Sequence, residues 1–382
     1  MSGYGRRSAL INANVRREEA RINSTSCPHV FASGQELRVR DALRLTFEHV
    51  LEPEYLLGLF QELKQNSGPA PGVDGFSYAD YSITEIAAVL REVCWLAHAG
   101  RYVPSPSLVV PIPRPDRALR ELRLRTIVDR IISTAVNRIL SKAAERILQS
   151  CCLAYRPGIS TWDMLVAIEF AVLHRESYFF QQDDIRRAFD NVPLALAIAA
   201  CQSLMSDVRL RQLIEAVLRG HDTCRNIGIE QGDPLSPLAL NLVMHSVLDL
   251  PLTAAAQNGF PLYLRYADNL VVLGRSALDV AESLGLARRR LAEHGMTLKG
   301  EDGGLTHLRR PGASVKVLGS KIHYRRRFQV IAHWQICDEK ILVQGRKRFV
   351  QLPLRSDSSG DEHTLSCSRV NRLRHRNPRM RG

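Results

Sequence analysis

The chain lacks the patterns that mark several functional classes. None of its eight cysteines (27, 94, 151, 152, 201, 224, 337 and 367) forms a CxxC pair, and Cys151 and Cys152 are adjacent, a spacing unsuited to bridging each other. With no Cys/His cluster either, the sequence argues against a zinc site and a disulfide framework, and predicts reduced thiols in a cytoplasmic protein. No run approaches about 18 consecutive apolar residues, so no membrane span is expected. The opening MSGYGRRSALINANVRREEA carries no apolar signal-peptide core. There is no internal repeat. Carboxylates are the scarcer charge, 39 Asp and Glu against 52 Lys and Arg, for a formal charge of +13. That excess asks for a polyanionic partner, and Arg, which predominates, presents a planar fork suited to phosphate.

What is present fits a globular protein of two or three subdomains: 382 residues, 45% of them apolar. Apolar spacings of mostly three or four predict helices over Asp41–Gln65, Ile83–His98, Ile127–Ile147, Trp162–His174, Pro193–Leu218, Ser236–Leu250 and Ala277–His294. Strands are expected at Leu108–Pro113, where prolines argue for an edge, and at Ser177–Gln182, Val315–His323 and Phe328–Ala332. Apolar arms Pro261–Arg265 and Leu270–Leu273 flank a turn, Tyr266-Ala267-Asp268-Asn269, and so predict a β-hairpin. The blocks of helices and hairpins together predict an α+β fold with an antiparallel sheet. Residues 369–382 hold six Arg and no Asp or Glu, lowering the charge to +7 when removed (13 − 6), and predict a disordered basic tail.

A carboxylate on a hairpin turn is held rigidly and points outward, where a metal can meet it. Phosphoryl transfer to a 3′-hydroxyl uses two divalent ions held by carboxylates from separate strands. Asp184, running off the strand after Ser177, and Asp268, on the hairpin turn, have the right contexts.

Six blocks besides that turn, in order, resemble bacterial reverse transcriptases, especially those of group II introns. Gly72-Val73-Asp74-Gly75 matches GVDG. Pro111 to Asp116, with Arg120 and Asp129-Arg130, follows the IPKPDGxxRPLGIPTxxDR motif. Ala154 to Thr161 resembles FRPGRST, and Gln182 to Val192 resembles DIxxxFD. Gln231 to Leu242 matches QGxPLSPLLxNL, and Val317-Leu318-Gly319 resembles the FLG grip. The turn itself, Tyr266 to Asn269, resembles YxDD. The resemblance covers about residues 68–325. It implies a right-hand polymerase: an N-terminal extension (1–66), fingers (67–180), a palm with the catalytic hairpin (181–325), a short or incomplete helical thumb (326–359) that includes Asp338–Leu354, and the basic tail (360–382).

Carried over residue by residue, the resemblance makes Asp184 and Asp268 ligands of two Mg2+ ions, with Mn2+ as substitute, the Ile185 carbonyl a further ligand, and Asn269 a catalytic neighbour. Arg114 and Arg120 would grip the triphosphate, although as surface charges they have an equal alternative in plain solvation. Phe189 would select dNTPs by excluding a 2′-hydroxyl; without the motif it reads as a core Phe. Gln231 and Gly232 would approach the nascent base pair, while Arg156, Gly158, Tyr266 and Gly319 would contact nucleic acid. Asp190 reads more simply as support for the helix that follows.

Two departures stand out. Asn269 replaces the second Asp of YxDD, keeping a ligating oxygen but losing a charge. Gly300-Glu301-Asp302-Gly303 stands where the family carries NPEKT, leaving Lys299 either as a substitute for the missing Lys or as a solvated turn residue. The expected function is an RNA-directed DNA polymerase acting on an RNA template or RNA/DNA heteroduplex, a stand-alone enzyme of the kind often used in antiphage defence, with a cognate non-coding RNA as a candidate partner and no membrane. The alternatives are a catalytically weakened RNA-binding or scaffold protein and a template-independent nucleotidyl transferase. Oligomeric state is not encoded in any motif.

Overall fold

The computed structural model describes the backbone of residues 47–114, 117–256, 259, 261–300, 304–331, 334–345 and 348–352; side chains at 114–120 and 325–352 fall outside that description. Helices Phe47–Val50, Pro53–Asn66 and Ile83–His98 lead into a hairpin of β1 (Leu108–Arg114) and β2 (Arg117–Leu124). Helices Ile127–Ala144 and Thr161–His174 follow, then β3 (Phe179–Asp184). Helices Ala188–Asn191, Leu194–Gln202, Val208–Arg219 and Ser236–Met244 come next, and a π-turn His245–Asp249 joins the last of these to helix Leu250–Ala255. The hairpin β4 (Leu262–Tyr266) and β5 (Asn269–Gly274), helix Ala277–Ala292, and strands β6 (Thr306–His307), β7 (Ser314–Val317), β8 (Ser320–Ile331), β9 (Trp334–Gly345) and β10 (Arg348–Leu352) complete the described chain.

Local chemistry sets the breaks that periodicity alone overran. The helix expected over Asp41–Gln65 is interrupted because Pro53 starts a new one at its first turn, where its missing N–H costs nothing. The expected Pro193–Leu218 helix is two helices; the second starts at Asp207, whose carboxylate accepts from the N–H groups of Arg209 and Leu210. Serines do the same work elsewhere: Ser82 and Ser276 each close a capping box with Glu85 and Asp279.

The central sheet runs β4-β5-β3-β6, antiparallel throughout. Its β5 strand explains the unbroken apolar run Leu270–Leu273. Leu270 and Val272 face one core with the helices, whereas Val271 and Leu273 face a second core with Leu264, Phe180 and helix Thr161–His174. A sheet buried on both faces needs no polar alternation, and each such fully buried aliphatic side chain contributes about 1.5–3 kcal/mol. The helical core also takes in Phe47, Leu56 and Phe60. Part of the expected N-terminal extension is thus built into the fold.

The strongest departure lies after residue 325. Of Asp338–Leu354, expected to supply a helical thumb, the described residues 338–345 and 348–352 instead lie on β9 and β10, in a sheet of order β10-β9-β8-β7. The β-branched Ile341 and Val343 suit a strand, and the β8–β9 pairing runs from Lys321↔Gln344 to Ile331↔Trp334. The basic tail lies outside the described residues. A second departure concerns Ser236–Ala255, which by length and composition is apolar enough to cross a membrane. It is two-thirds buried inside the protein and carries buried Asn241, His245 and Asp249, the features of a core helix.

Candidate functional site

Asp184 ends β3 directly opposite Asn269, the first residue of β5. The turn between β4 and β5 is only Ala267-Asp268, since Tyr266 pairs with Asn269. Ile185 then donates its N–H to the Asp268 carbonyl at 2.8 Å. Strand register therefore brings the two acidic positions to the same end of the sheet. Ala267 sits at φ 58°, a left-handed conformation that costs a non-glycine residue about 1–2 kcal/mol. Such strain persists only where surrounding contacts over-determine it.

Those contacts come from below. Arg265 is fully buried, and its guanidinium holds the turn by donating to the Ala267 carbonyl at 3.0 Å. It also donates to both oxygens of Asp249 at 2.8 and 2.6 Å, to Asn241 Oδ1 at 2.8 Å and to Cys152 Sγ at 3.1 Å. Tyr263 donates to the same Asp249 at 3.0 Å, and Asn241 donates to the Ala154 carbonyl at 2.8 Å. Burial would push the guanidinium down, but the Asp249 carboxylate holds it well above its ordinary value. Burial, reinforced by Asp249, likewise raises the Tyr263 phenol. The π-turn His245–Asp249 carries Asp249 in the helix that begins at Ser236. None of this was read from the sequence, although one charge inside each apolar segment was its visible sign, because buried charges must pair.

At the tip, Asp184 is shared. Asn269 Nδ2 donates to Oδ1 at 2.7 Å, and the Lys299 ammonium lies 2.6 Å from Oδ2. Lys299 is fixed in register, its N–H bonded to the Asp184 carbonyl at 2.8 Å. Asp183 is buried and structural, accepting from the N–H groups of Asp184 and Gly300. Asn269 Oδ1 is buried and has no hydrogen-bond partner among the described residues. The carboxylates of Asp184 and Asp268, the Ile185 carbonyl and this orphaned oxygen are the hard donors that Mg2+ accepts. The tip gathers two carboxylates, and no group of three or more His, Cys, Asp or Glu side chains that could hold a metal ion occurs among the described residues, here or elsewhere.

Beside this end lies the Gln231-Gly232 loop. Arg123 donates its N–H to the Gln231 carbonyl at 2.7 Å, so the loop rides on the end of β2. Gly232 (φ 115°) is required there: a Cβ would fall 2.6 Å from the Arg123 carbonyl oxygen. Gly72 meets a similar limit, since a Cβ there would fall 2.6 Å from Thr126 Cα. The loop is anchored by buried Arg125, whose Nε lies 3.0 Å from Glu230 and 2.7 Å from Asp233. Burial raises the Asp233 carboxyl despite the opposing pull of Arg125. Gln231 Nε2 reaches Asp190 Oδ1 at 3.5 Å, and Asp190 also pairs with Arg187 at 3.0 Å. Phe189 packs partly buried against the helical core, and its carbonyl accepts from Ile229 at 2.8 Å.

The remaining expected residues are spread out. Arg156 turns inward, only 11% exposed, to pair with Glu145 and to donate to the carbonyls of Gln149 and Cys152. In this arrangement it brackets the loop that carries Cys152. Gly158 (φ 76°) is exposed in open space. Tyr266 packs partly buried against the second core. Gly319 (φ 81°) and Leu318 (φ 47°) form the two-residue turn between β7 and β8. Arg114 and Arg120 lie on β1 and β2, and their side chains are outside the described set.

An Asp at a strand end is thus joined, through the N–H of its neighbour, to a second Asp position on an adjacent hairpin turn. A model of the reverse transcriptase (RNA-dependent DNA polymerase) family matches residues 112–321, more than half of the 382-residue chain, and the chain belongs to that family. Membership carries with it a right-hand polymerase fold and a nucleotidyltransferase kind of enzyme. No curated protein matches the chain.

Proposed function

We propose that this chain is an RNA-directed DNA polymerase that extends a 3′-hydroxyl with dNTPs at the tip of the β4–β5 hairpin. The observation that carries the reading is the Asp184–Asn269 register, which supports Asp184 and Asp268 as one site although 85 positions separate the paired residues. Asp184, Asp268, the Ile185 carbonyl and Asn269 Oδ1 would hold divalent cations, which when bound neutralise charge on the attacking oxygen and the triphosphate. The chain's own residues position the reactants. Arg265 fixes the turn, Arg125 fixes the Gln231-Gly232 loop against the nascent pair, and Phe189 stands under the incoming sugar. The excess of Arg suits an RNA/DNA duplex held through its phosphates.

Primer extension on poly(rA)/oligo(dT) with Mg2+ or Mn2+, beside a no-template control, tests this. Template-dependent incorporation lost in Asp268→Ala is expected. Incorporation without template would favour a nucleotidyl transferase. A catalytically weakened RNA-binding protein is the second reading, favoured by Asn269 and by the Lys299 contact that neutralises Asp184. Absent incorporation with RNA binding intact would select it. The cellular role we propose is antiphage defence with a cognate RNA, tested by phage plaque counts on cells carrying the wild type or Asp268→Ala.

A further inference from the structure

Resting on that reading of the metal site, we propose that Lys299 is a tethered cation that competes with the metal for Asp184 and sets a weak metal affinity. Three observations carry this. The ammonium lies 2.6 Å from Asp184 Oδ2, and the other oxygen already accepts from Asn269, so both oxygens of this carboxylate are in use. The lysine is aimed there by its backbone: its N–H bonds the Asp184 carbonyl, its own carbonyl accepts from Arg186, and Gly300 N–H bonds Asp183. The pair is only partly exposed, 28% for the Lys299 side chain and 16% for Asp184, so water screens it less than a surface pair.

Charge makes the consequence concrete. Asp184 and Asp268 supply two negative charges, Lys299 returns one positive charge, and Asn269 supplies none. These four side chains therefore sum to a formal charge of −1, and the Asp183–Arg288 pair behind them adds none. A divalent cation gains from ligand charge, and to take Asp184 Oδ2 it must break the Lys299 ion pair. Lys299 thus stays bound to Asp184 in the metal-free protein and is released when the cation enters.

Direct Mn2+ titration of the full chain, reading free Mn2+ by its electron paramagnetic resonance signal, measures this without any polymerase assay. Lys299→Gln removes the charge and should tighten Mn2+ binding by about three- to tenfold, the scale of one partly exposed ion pair. Lys299→Arg keeps the charge and should bind as the wild type does. Asp184→Asn should lose the site. If the wild type shows Asp184-dependent binding and Lys299→Gln binds no tighter, the competition is overturned while the metal site stands. If neither the wild type nor Lys299→Gln shows Asp184-dependent binding, the metal site falls and the competition falls with it.

Discussion

The foot and the tip of the β4–β5 hairpin handle charge in opposite ways. At the foot, Arg265 is wholly buried and donates to Asp249, Asn241, Cys152 and Ala267, so every direction of its guanidinium fork is used. At the tip, Asp184 is partly exposed and its two partners, Lys299 and Asn269, are single contacts that a stronger ligand can displace. The foot is built to keep one geometry, because a buried charge stripped of its partner has nowhere else to turn. In the proposed polymerase the tip exchanges these partners for a cation. A strained Ala267 joins the two, and the foot holds its carbonyl while the Ile185 N–H holds that of Asp268. Positional precision and ligand exchange are thus supplied by different residues a few positions apart.

Breaking the foot should produce the largest effect. Arg265→Ala or Asp249→Ala leaves an unpaired buried charge and should lower unfolding free energy by about 3–5 kcal/mol in urea titrations. Replacing both with apolar residues of similar volume should recover much of that loss while leaving the turn unheld. A double variant that is as stable as the wild type and fully active would show that the network serves stability and not the turn. Next in size is Asp268→Ala. It should leave stability within about 1 kcal/mol and reduce template-dependent incorporation by about 10²–10³-fold. Equal losses of stability in the Asp268 and Arg265 variants would erase the distinction between tip and foot.

The difference between the two ends also explains what the sequence disclosed. The tip was legible because its chemistry is local: Asp184, Asp268 and Asn269 stand in short motifs whose spacing follows from strand and turn geometry. Helices with a serine cap and a clear apolar stripe, such as Ile83–His98, were legible for the same reason. The foot was not, because Arg265, Cys152 and the helix that carries both Asn241 and Asp249 come from three separate segments and only tertiary pairing reveals them as one group. The Arg156–Glu145 pair was likewise out of reach, because the motif around Arg156 says nothing of which carboxylate lies beside it. The helical thumb failed because a family expectation outweighed the β-branched Ile336, Ile341, Val343 and Val350 of β9 and β10, and the break at Asp207 was missed because an apolar period continues across a cap.

Asn269→Asp sharpens the tip. Without metal it replaces a donor 2.7 Å from Asp184 with a second carboxylate, and like charges at that distance oppose each other. With Mn2+ present the added charge becomes a ligand. The variant should therefore melt below the wild type in chelator and gain more from Mn2+ than the wild type does, with roughly tenfold tighter binding if the added charge is worth about 1.4 kcal/mol. A melting temperature below wild type by the same amount with and without Mn2+ would show that position 269 does not face the cation.

The smallest expected effect concerns a carboxylate that neither end uses. Glu169 lies on helix Thr161–His174, which packs against the second core, and burial alone pushes its pKa up to about 7 from 4.5. The folded protein thus keeps a proton that the unfolded chain loses first. Between about 4.5 and 7 unfolding releases that proton, so this group's contribution to stability falls as pH rises and levels off above the folded value. Glu169→Gln removes the titration. Its melting temperature relative to wild type should rise between about pH 5 and pH 8. A pH-independent difference for Glu169→Gln would mean that the carboxyl is solvated in the folded protein, as the carboxylates of the tip are in part.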